Sequence, residues 1–255
     1  WEALSPVQVA AAEIIFGSDS NLLLPSQTAS GKTEAAFFPI LTEMYENRPS
    51  SIGVLYIAPL KSLINDQFYR IEELLDETDI KVTHWHGDVA QSKKRKLLEN
   101  PSGILQITPE SLEAMLINRH NDIKRLFGDL RYVVLDEVHT LTGTDRGNQI
   151  LCQLSRIEQV IGRSPRRVGL SATVGDPETV ALWLSAGTKR LTDVPVFDNE
   201  KIRWRLGMEH FYIQNSSFSQ SPDADEKKKA SKATLDAGYE YAYDCVTGQK
   251  SLVFS

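Results

Sequence analysis

The sequence predicts an α/β domain with a mostly parallel central sheet flanked by helices. Short apolar runs alternate along the chain with longer helical patterns. Some runs, such as Tyr132–Leu135, are apolar at every position, which is typical of parallel strands covered on both faces. This alternation favours an open sheet, and such sheets bind ligands beyond the carboxyl ends of their strands. We expect strands at residues 22–24, 52–58, 82–85, 104–108, 132–135 and 168–170.

The helices between these strands begin with clear signals. Ser5-Pro6, Thr108-Pro109 and Asp176-Pro177 each combine a capping residue with a proline suited to the first helical position. We therefore expect a helix to begin at each of these three prolines.

The pattern changes near residue 201. Residues 201–214 alternate like one long strand, the next residues are polar, and 227–246 have a helical pattern that Gly248 would end. The last residues, KSLVFS, predict the opening of a new buried strand. We expect one domain over 1–214, a polar linker over 215–226 and the start of an incomplete second domain over 227–255.

Composition excludes several classes of protein. The 255 residues are 41% hydrophobic, and no run approaches the ~18 apolar residues that a membrane span needs. Cys152 and Cys245 form neither a disulfide framework nor a zinc pattern. We expect a soluble protein in a reducing compartment, either cytoplasmic or nucleoid-associated.

The net charge of −6 argues against a basic nucleic-acid coat, although a local positive strip could still bind nucleic acid. Two basic clusters occur, Lys93-Lys94-Arg95-Lys96 and Arg163 with Arg166-Arg167. By themselves, both clusters are interpreted as solvated helix faces or loops.

Residues 25–34, PSQTASGKTE, contain the end of a phosphate-binding loop. In the usual pattern, G-x-x-x-x-G-K-[ST], backbone N–H groups surround phosphate oxygens at the start of a helix, and here Ser26 replaces the first glycine. An apolar run precedes the loop and a helical pattern follows it, as the motif requires. Lys32 would reach the β- and γ-phosphates, and the Thr33 hydroxyl would bind Mg²⁺. The other candidate nucleotide contacts are Ser26, Gln27, Thr28, Ala29, Ser30, Gly31 and Glu34.

The second motif, Asp136-Glu137-Val138-His139, directly follows the apolar run YVVL. Hydrolysis of a phosphoanhydride needs a carboxylate to hold Mg²⁺ and a group to orient water. Asp136 would bind the metal, and Glu137 would act as the general base or position the water. A solvated loop is the usual explanation of an isolated Asp-Glu pair, but it leaves the phosphate loop unexplained.

The third motif, Ser171-Ala172-Thr173, closes another apolar run and becomes informative through its order after the other two. Together the three motifs closely resemble the first motor domain of superfamily 2 helicases. HGD at 86–88, TPESL at 108–112 and the Arg146-Gly147 pair resemble the Lhr-type branch. The phosphate loop departs from the family pattern A-P-T-G-S-G-K-T at Ala29, where the family has glycine.

The resemblance implies further site residues. SPVQ, with Gln8, resembles the adenine-recognising motif, although the spacing from Ser5 equally fits a capping box, and both roles stay open. His139 resembles the link between the nucleotide and the third motif, whose residues Ser171, Ala172 and Thr173 would couple hydrolysis to domain closure. His84 and His86 could suggest a metal, but without a third ligand a strand end is favoured. Backbone contacts to a single strand would come from Pro59, Leu60, Lys61, Gly87, Asp88, Thr108, Pro109 and Glu110.

The implied activity is that of an ATP-dependent helicase or translocase of the DExH type, with Lys32, Asp136, Glu137 and His139 as its catalytic residues. Its fold would be RecA-like, and ATP with Mg²⁺ would lie between this domain and a second RecA-like domain of the same chain, which would supply an arginine finger. The nucleic-acid partner would be DNA or RNA, single-stranded in the favoured interpretation, and no membrane partner is expected. The alternatives are a translocase module of a larger DNA-processing machine and an ATP-gated nucleic-acid clamp that does not unwind.

Overall fold

A computed structural model describes residues 3–25, 31–75, 78–172, 175–196, 207–209 and 237–248. The chain divides into two compact units, Trp1–Asn199 and Glu200–Ser255. Within the described residues, no helix is long and apolar enough to cross a membrane.

The first unit contains a seven-stranded sheet in the order β3-β4-β2-β5-β6-β1-β7. Every neighbouring pair of strands is parallel. All six predicted runs form strands, so the predicted parallel α/β architecture is confirmed, while the two-residue strand β7 was not predicted. The strands are β1 (Asn21–Pro25), β2 (Ile52–Ile57), β3 (Val82–Trp85), β4 (Gly103–Ile107), β5 (Tyr132–Leu135), β6 (Arg166–Ser171) and β7 (Thr192–Asp193).

Helices connect the strands, and three of them begin where the capping signals predicted. The helices that begin at Pro6, Pro109 and Pro177 follow Ser5, Thr108 and Asp176 respectively, which confirms all three predicted starts. The α-helices are α1 (Pro6–Gly17), α2 (Lys32–Glu46), α3 (Lys61–Leu74), α4 (Gln91–Glu99), α5 (Pro109–Asn118), α6 (Ile123–Phe127), α7 (Asp145–Ile161), α8 (Pro177–Ser185) and α9 (Ala237–Val246).

Two apolar clusters cover the two faces of the sheet. Because side chains alternate along a strand, Leu22 and Leu24 of β1 join one cluster and Leu23 joins the other. The same alternation divides β2 between the two clusters. Burial on both faces explains why these strands are continuously apolar.

The strand order determines which chain segments can meet. Strands β5, β6 and β1 are consecutive neighbours, and β3, β4 and β2 form the other side of the sheet. Since all the strands are parallel, the segments that follow them lie along one edge, which we call the carboxyl edge. The sheet therefore gathers the predicted motifs along this edge.

One prediction about charge was wrong. Arg166 and Arg167 are not part of a solvated face, because both lie in β6 and are buried. The Arg166 guanidinium donates to the carbonyl oxygens of Ile15 at 2.7 Å and Ile14 at 2.8 Å. The Arg167 guanidinium donates to carbonyl oxygens and contacts Glu158 at 3.1 Å. The cations are tolerated in the interior because the ends of neighbouring helices supply acceptors.

Few residues of the predicted C-terminal elements are described by the structure. Of the strand predicted over 201–214, the structure describes only 207–209, which have no strand conformation. Helix α9 confirms the end of the helix predicted over 227–246, and Gly248 follows it with a left-handed φ of 76°. The predicted linker over 215–226 and the final strand over 250–255 lie outside the described residues, so the domain boundaries stay predictions.

Candidate functional site

The phosphate-loop motif has the strand–loop–helix context that its chemistry requires. Strand β1 ends at Pro25 and α2 begins at Lys32. Gly31 adopts a left-handed φ of 76°, a conformation that glycine reaches without steric cost. The structure therefore describes the GKTE end of the motif, whereas Ser26, Gln27, Thr28, Ala29 and Ser30 lie outside the described residues.

Lys32 links the first motif to the third. Its Nζ atom donates a hydrogen bond of 2.8 Å to the Ser171 carbonyl oxygen at the end of β6. Burial lowers the pKa of Lys32, and the negative charges of Glu137 and Asp136 oppose that shift. The ammonium group therefore lies within electrostatic reach of both acids of the second motif.

Asp136 is held by two hydrogen bonds at the end of β5. The buried Tyr56 hydroxyl donates to Asp136 Oδ2, and the Glu137 amide donates to Oδ1 at 2.9 Å. Burial, reinforced by Asp136 and Glu137, raises the pKa of Tyr56 well above its ordinary value, so the phenol remains a neutral donor. The sequence analysis did not identify Tyr56 as a site residue. The one indication was its hydroxyl group, which is the single polar side-chain group in the run IGVLYI.

Glu137 has an unusual backbone conformation. Among the described residues it is the one non-glycine with positive φ, at φ 48° and ψ 42°. Such conformations cost energy and concentrate at functional sites. The Glu137 Oε2 atom lies 3.4 Å from Nδ1 of His139.

His139 connects the second and third motifs. Its Nδ1 atom lies 3.2 Å from Ser171 Oγ in addition to its contact with Glu137. Because Ser171 also accepts from Lys32, the three motifs form one connected network at the ends of β1, β5 and β6. Ala172 follows Ser171 directly, and Thr173 lies outside the described residues.

Gln8 takes part in a cap and also lies beside the phosphate loop. Its Oε1 atom accepts a 2.9 Å hydrogen bond from the Ser5 amide at the start of α1, which confirms the capping role. A Cβ atom built on Gly31 would lie 3.4 Å from Gln8 Nε2, so the other end of the amide reaches the loop. The two roles weighed for Gln8 are therefore geometrically compatible.

A second cation lies next to the phosphate-loop motif. Arg70 of α3 donates to Oε1 of Glu34, whose side chain is nearly buried. The preceding residue, Thr33, is also buried. No sequence motif indicated Arg70, because its contact with Glu34 arises only when α3 packs near α2.

The residues predicted to grip a nucleic-acid backbone also gather at the carboxyl edge. Pro59 and Leu60 follow β2, Gly87 and Asp88 follow β3, and Thr108 follows β4, where it caps the helix that contains Pro109 and Glu110. Lys61 Nζ lies 3.0 Å from Asp88 Oδ2, which joins two of these segments.

Arg146 joins two of these segments to the chain that follows the second motif. Its Nη2 atom donates to the Pro59 carbonyl oxygen at 2.6 Å and contacts Glu110 Oε1 at 2.7 Å. Gly147 lets the start of α7 pack closely, since a Cβ there would lie 2.0 Å from the Leu141 carbonyl oxygen. The Arg146-Gly147 pair therefore positions α7 against both the second motif and the predicted grip.

The oxygen atoms at the site fit a magnesium ion. Thr33 offers a hydroxyl, and Asp136 and Glu137 offer carboxylates, which are ligands of the kind that Mg²⁺ prefers. Within the described part of the chain, no three His, Cys, Asp or Glu side chains cluster as a metal cage. The Thr33 hydroxyl and the carboxylates of Asp136 and Glu137 instead suit an Mg²⁺ ion that is held by one or two side chains together with water and phosphate oxygens.

The parallel sheet, the GKT helix start and the acidic pair at a neighbouring strand end define a RecA-like nucleotide-hydrolase domain. A family model of DEAD/DEAH box helicases matches residues 5–180. The chain is 35% identical over 200 residues to an Lhr helicase/probable uracil glycosylase of Mycolicibacterium smegmatis, covering 72% of this chain and 13% of that protein. It is 33% identical over 189 residues to the ATP-dependent helicase Lhr-Core of Methanothermobacter thermautotrophicus, covering 67% of this chain and 22% of that protein.

Solved structures of helicases are also similar to this chain. The Mycobacterium smegmatis helicase Lhr bound to ssDNA and AMP-PNP matches with a TM-score of 0.67 and 31% identity, over 77% of this chain and 26% of that one. The DUF1998 helicase MrfA bound to DNA and AMPPNP matches with a TM-score of 0.66 and 28% identity, over 77% of this chain and 27% of that one. The chain belongs to the DEAD/DEAH box helicase family and has its RecA-like ATP-binding motor domain. It spans between 13% and 22% of the length of the two curated relatives named above.

Proposed function

We propose that this motor domain drives an ATP-dependent helicase or translocase that moves on a nucleic-acid backbone. The observation that carries the proposal is the connected network at three neighbouring strand ends. Lys32 bonds to Ser171, Ser171 contacts His139, and His139 contacts Glu137 beside Asp136. A P-loop kinase would give the second and third motifs no role.

Each residue of the network has a defined task in this proposal. Lys32 neutralises the β- and γ-phosphates of ATP, and Thr33 with Asp136 holds Mg²⁺, which supplies charge neutralisation during phosphoryl transfer. The Tyr56 hydroxyl keeps Asp136 oriented. Glu137 orients the attacking water and accepts its proton. His139, which contacts both Glu137 and Ser171, links this carboxylate to the third motif. Gln8, beside the loop, recognises adenine.

Nucleic acid binds through the segments that follow β2, β3 and β4. Helix N-termini and hydroxyl groups, such as those at Thr108, suit phosphate oxygens rather than base edges, so binding is largely independent of sequence and weakened by salt. Relatives bound to ssDNA and to DNA support a nucleic-acid track. A second RecA-like domain of the same chain completes the nucleotide site. The protein is cytoplasmic or nucleoid-associated, and the exposed free thiols of Cys152 and Cys245 are consistent with such a reducing compartment.

The test is ATP hydrolysis by the full-length protein, with Glu137→Gln as the matched variant. Turnover would be measured without nucleic acid and with single-stranded DNA, duplex DNA or RNA. Stimulation by one polymer, reduced at least ~100-fold in kcat by Glu137→Gln, is expected because general-base catalysis contributes about that factor. Turnover that is unaffected by Glu137→Gln would overturn the assignment of the site. Strand-displacement and triplex-displacement assays then separate unwinding from translocation and from a clamp.

A further inference from the structure

Helix α4 has a strongly positive surface in an otherwise acidic chain. Its sequence QSKKRKLLE places four cations in a row, Lys93 to Lys96, while the whole chain has a net charge of −6. Three of these cations, Lys93, Arg95 and Lys96, are exposed. Leu97, on the inner side of the helix, is buried. This concentration of like charges creates a positive potential that attracts anionic partners.

A groove runs between α4 and the end of α5. Its volume is about 570 Å³, and the charged residues that line it are Lys94, Arg95, Lys96, Glu99 and Arg119. Four cations and one carboxylate therefore line the groove, where Arg95 pairs with Glu99 at 3.3 Å and Arg119 lies 3.9 Å from Asp122. We call this region the α4 groove.

One cation of the α4 groove, Lys94, also lies near the predicted nucleic-acid grip. Lys94 Nζ lies 5.5 Å from the centre of the Trp85 ring, at the end of β3. The pKa of Asp88 is lowered first by its hydrogen bond with Lys61 and then also by the charges of His86 and Lys94, so these groups share one electrostatic environment. The positive strip thus extends from Lys61, past Gly87 and Asp88, onto α4.

The chemistry of the groove favours a duplex over a single strand. Sites for single strands combine cations with exposed aromatic rings on which bases stack. None of the residues that line the groove is aromatic, and Trp85 is buried beneath Lys94. A duplex keeps its bases stacked inside and presents phosphates at about twice the charge density of one strand.

We propose that the α4 groove binds the phosphate backbone of the duplex adjoining the single strand gripped at the carboxyl edge. This inference rests on the proposed function, because the grip determines where the single strand lies. It adds a second contact region, beyond the edge strand β3, that would hold the substrate at its single-strand–duplex junction.

The experiment compares two triple variants of the full-length protein. The test variant is Arg95→Gln/Lys96→Gln/Arg119→Gln, which removes three exposed cations from the groove. The control variant is Arg48→Gln/Arg163→Gln/Lys189→Gln, which removes three exposed cations that precede β2, β6 and β7 at the opposite edge of the sheet. Binding is measured with a single-stranded oligonucleotide and with the same oligonucleotide attached to a duplex, over a range of salt concentrations, and circular dichroism monitors folding.

We expect the test variant to bind the tailed duplex at least ~10-fold more weakly and the single strand within about 2-fold of the wild type. The slope of log affinity against log salt for the tailed duplex should become shallower by up to about 2.7, or ~0.9 for each phosphate that the variant no longer neutralises. Equal weakening for both substrates would overturn the duplex assignment in favour of an extended single-strand path. Unchanged binding of both would overturn the inference while leaving the proposed function intact, whereas a wild type that binds neither substrate would overturn both.

Discussion

At the scale of the residue, removal of the Tyr56 hydroxyl would test how the Asp136 carboxylate is held in place. Tyr56→Phe removes one hydrogen bond to a nearly buried carboxylate and leaves the ring in place. We expect the free energy of unfolding to fall by about 1.5–3 kcal/mol, because hydrogen bonds to charged groups contribute about that much. We also expect a lower kcat for nucleic-acid-stimulated ATP hydrolysis, measured in the full-length protein, because Asp136 loses its orientation.

Tyr132→Phe is the matched control for this variant. Tyr132 is also buried, and its hydroxyl donates to the carboxylate of Glu43, but it begins β5 at the edge of the sheet opposite the site. A similar loss of stability without a loss of kcat is expected there. Equal losses of kcat in both variants would show that Tyr56 acts through stability alone.

Two histidines near the predicted grip should make stability depend on pH. Burial lowers the pKa of His84 and of His86 below the ordinary value of 6.5, and for His86 the neighbouring Asp88 opposes this while Lys61 and Lys94 add to it. His86 and Lys93 also lower the pKa of His84. Below pH 6.5 the unfolded chain therefore binds protons that the folded chain does not, so the free energy of unfolding must fall with decreasing pH.

Urea unfolding of residues 1–255 at pH 7.5 and pH 5.5 would measure this dependence. His86→Gln should reduce the difference in unfolding free energy between the two pH values, whereas His120→Gln, at an exposed histidine, should preserve it. An unchanged difference in His86→Gln would mean that other groups cause the acid sensitivity.

At the scale of the element, Arg146 couples α7 to two segments of the predicted grip, the loop at Pro59 and the start of α5. Arg146→Ala breaks the contacts with the Pro59 carbonyl and Glu110. We expect the nucleic-acid concentration for half-maximal ATPase stimulation to rise ~10-fold, since one charge-assisted hydrogen bond contributes about 1.5–3 kcal/mol. Unstimulated turnover and nucleotide affinity should change less than about 2-fold, because Arg146 has no described contact with the Lys32 network.

Arg156→Ala serves as the control for Arg146→Ala. Arg156 also joins α7 to α5, through a 2.6 Å contact with Glu113 within α5, but it does not contact the loop at Pro59. Arg146→Lys should recover part of the stimulation, because lysine keeps one donor and the charge. Equal defects in Arg146→Ala and Arg156→Ala would contradict a specific role for Arg146.

The elements were predictable to different degrees from the sequence. Continuous apolar runs and capping prolines predicted β1 to β6 and the starts of three helices, because these signals are local. The short strand β7 was missed, since Thr192 and Asp193 have no apolar pattern. Arg166 was misjudged because its acceptors are backbone carbonyls that only the folded chain brings near.

At the scale of the whole molecule, the order of strands explains why motifs distant in sequence form one site. Motifs that follow β1, β5 and β6 meet because these strands are neighbours. The motif sequences predicted the residues of this network, but not Tyr56 or Arg70, whose contacts depend on how β2 and α3 pack. The segments of the predicted grip follow β2, β3 and β4 on the other side of the sheet, so the proposed nucleotide and nucleic-acid sites would share one edge without competing for the same residues.

This arrangement predicts that residues 1–255 bind ATP but hydrolyse it slowly. The first unit contains the Lys32, Asp136 and Glu137 network, and an arginine finger from the proposed second domain would stabilise the charge of the transition state. Arg70, the arginine that contacts Glu34 of the phosphate-loop motif, is engaged by that carboxylate. An arginine finger contributes about 10³–10⁵ in kcat, so we expect turnover at least ~10³-fold below that of the stimulated full-length protein. Titration with a fluorescent nucleotide, with Lys32→Ala as the negative control, would measure binding, and phosphate release would measure turnover. Rapid turnover by residues 1–255 alone would refute the need for a second domain and would direct attention to Arg70 as the stabilising cation.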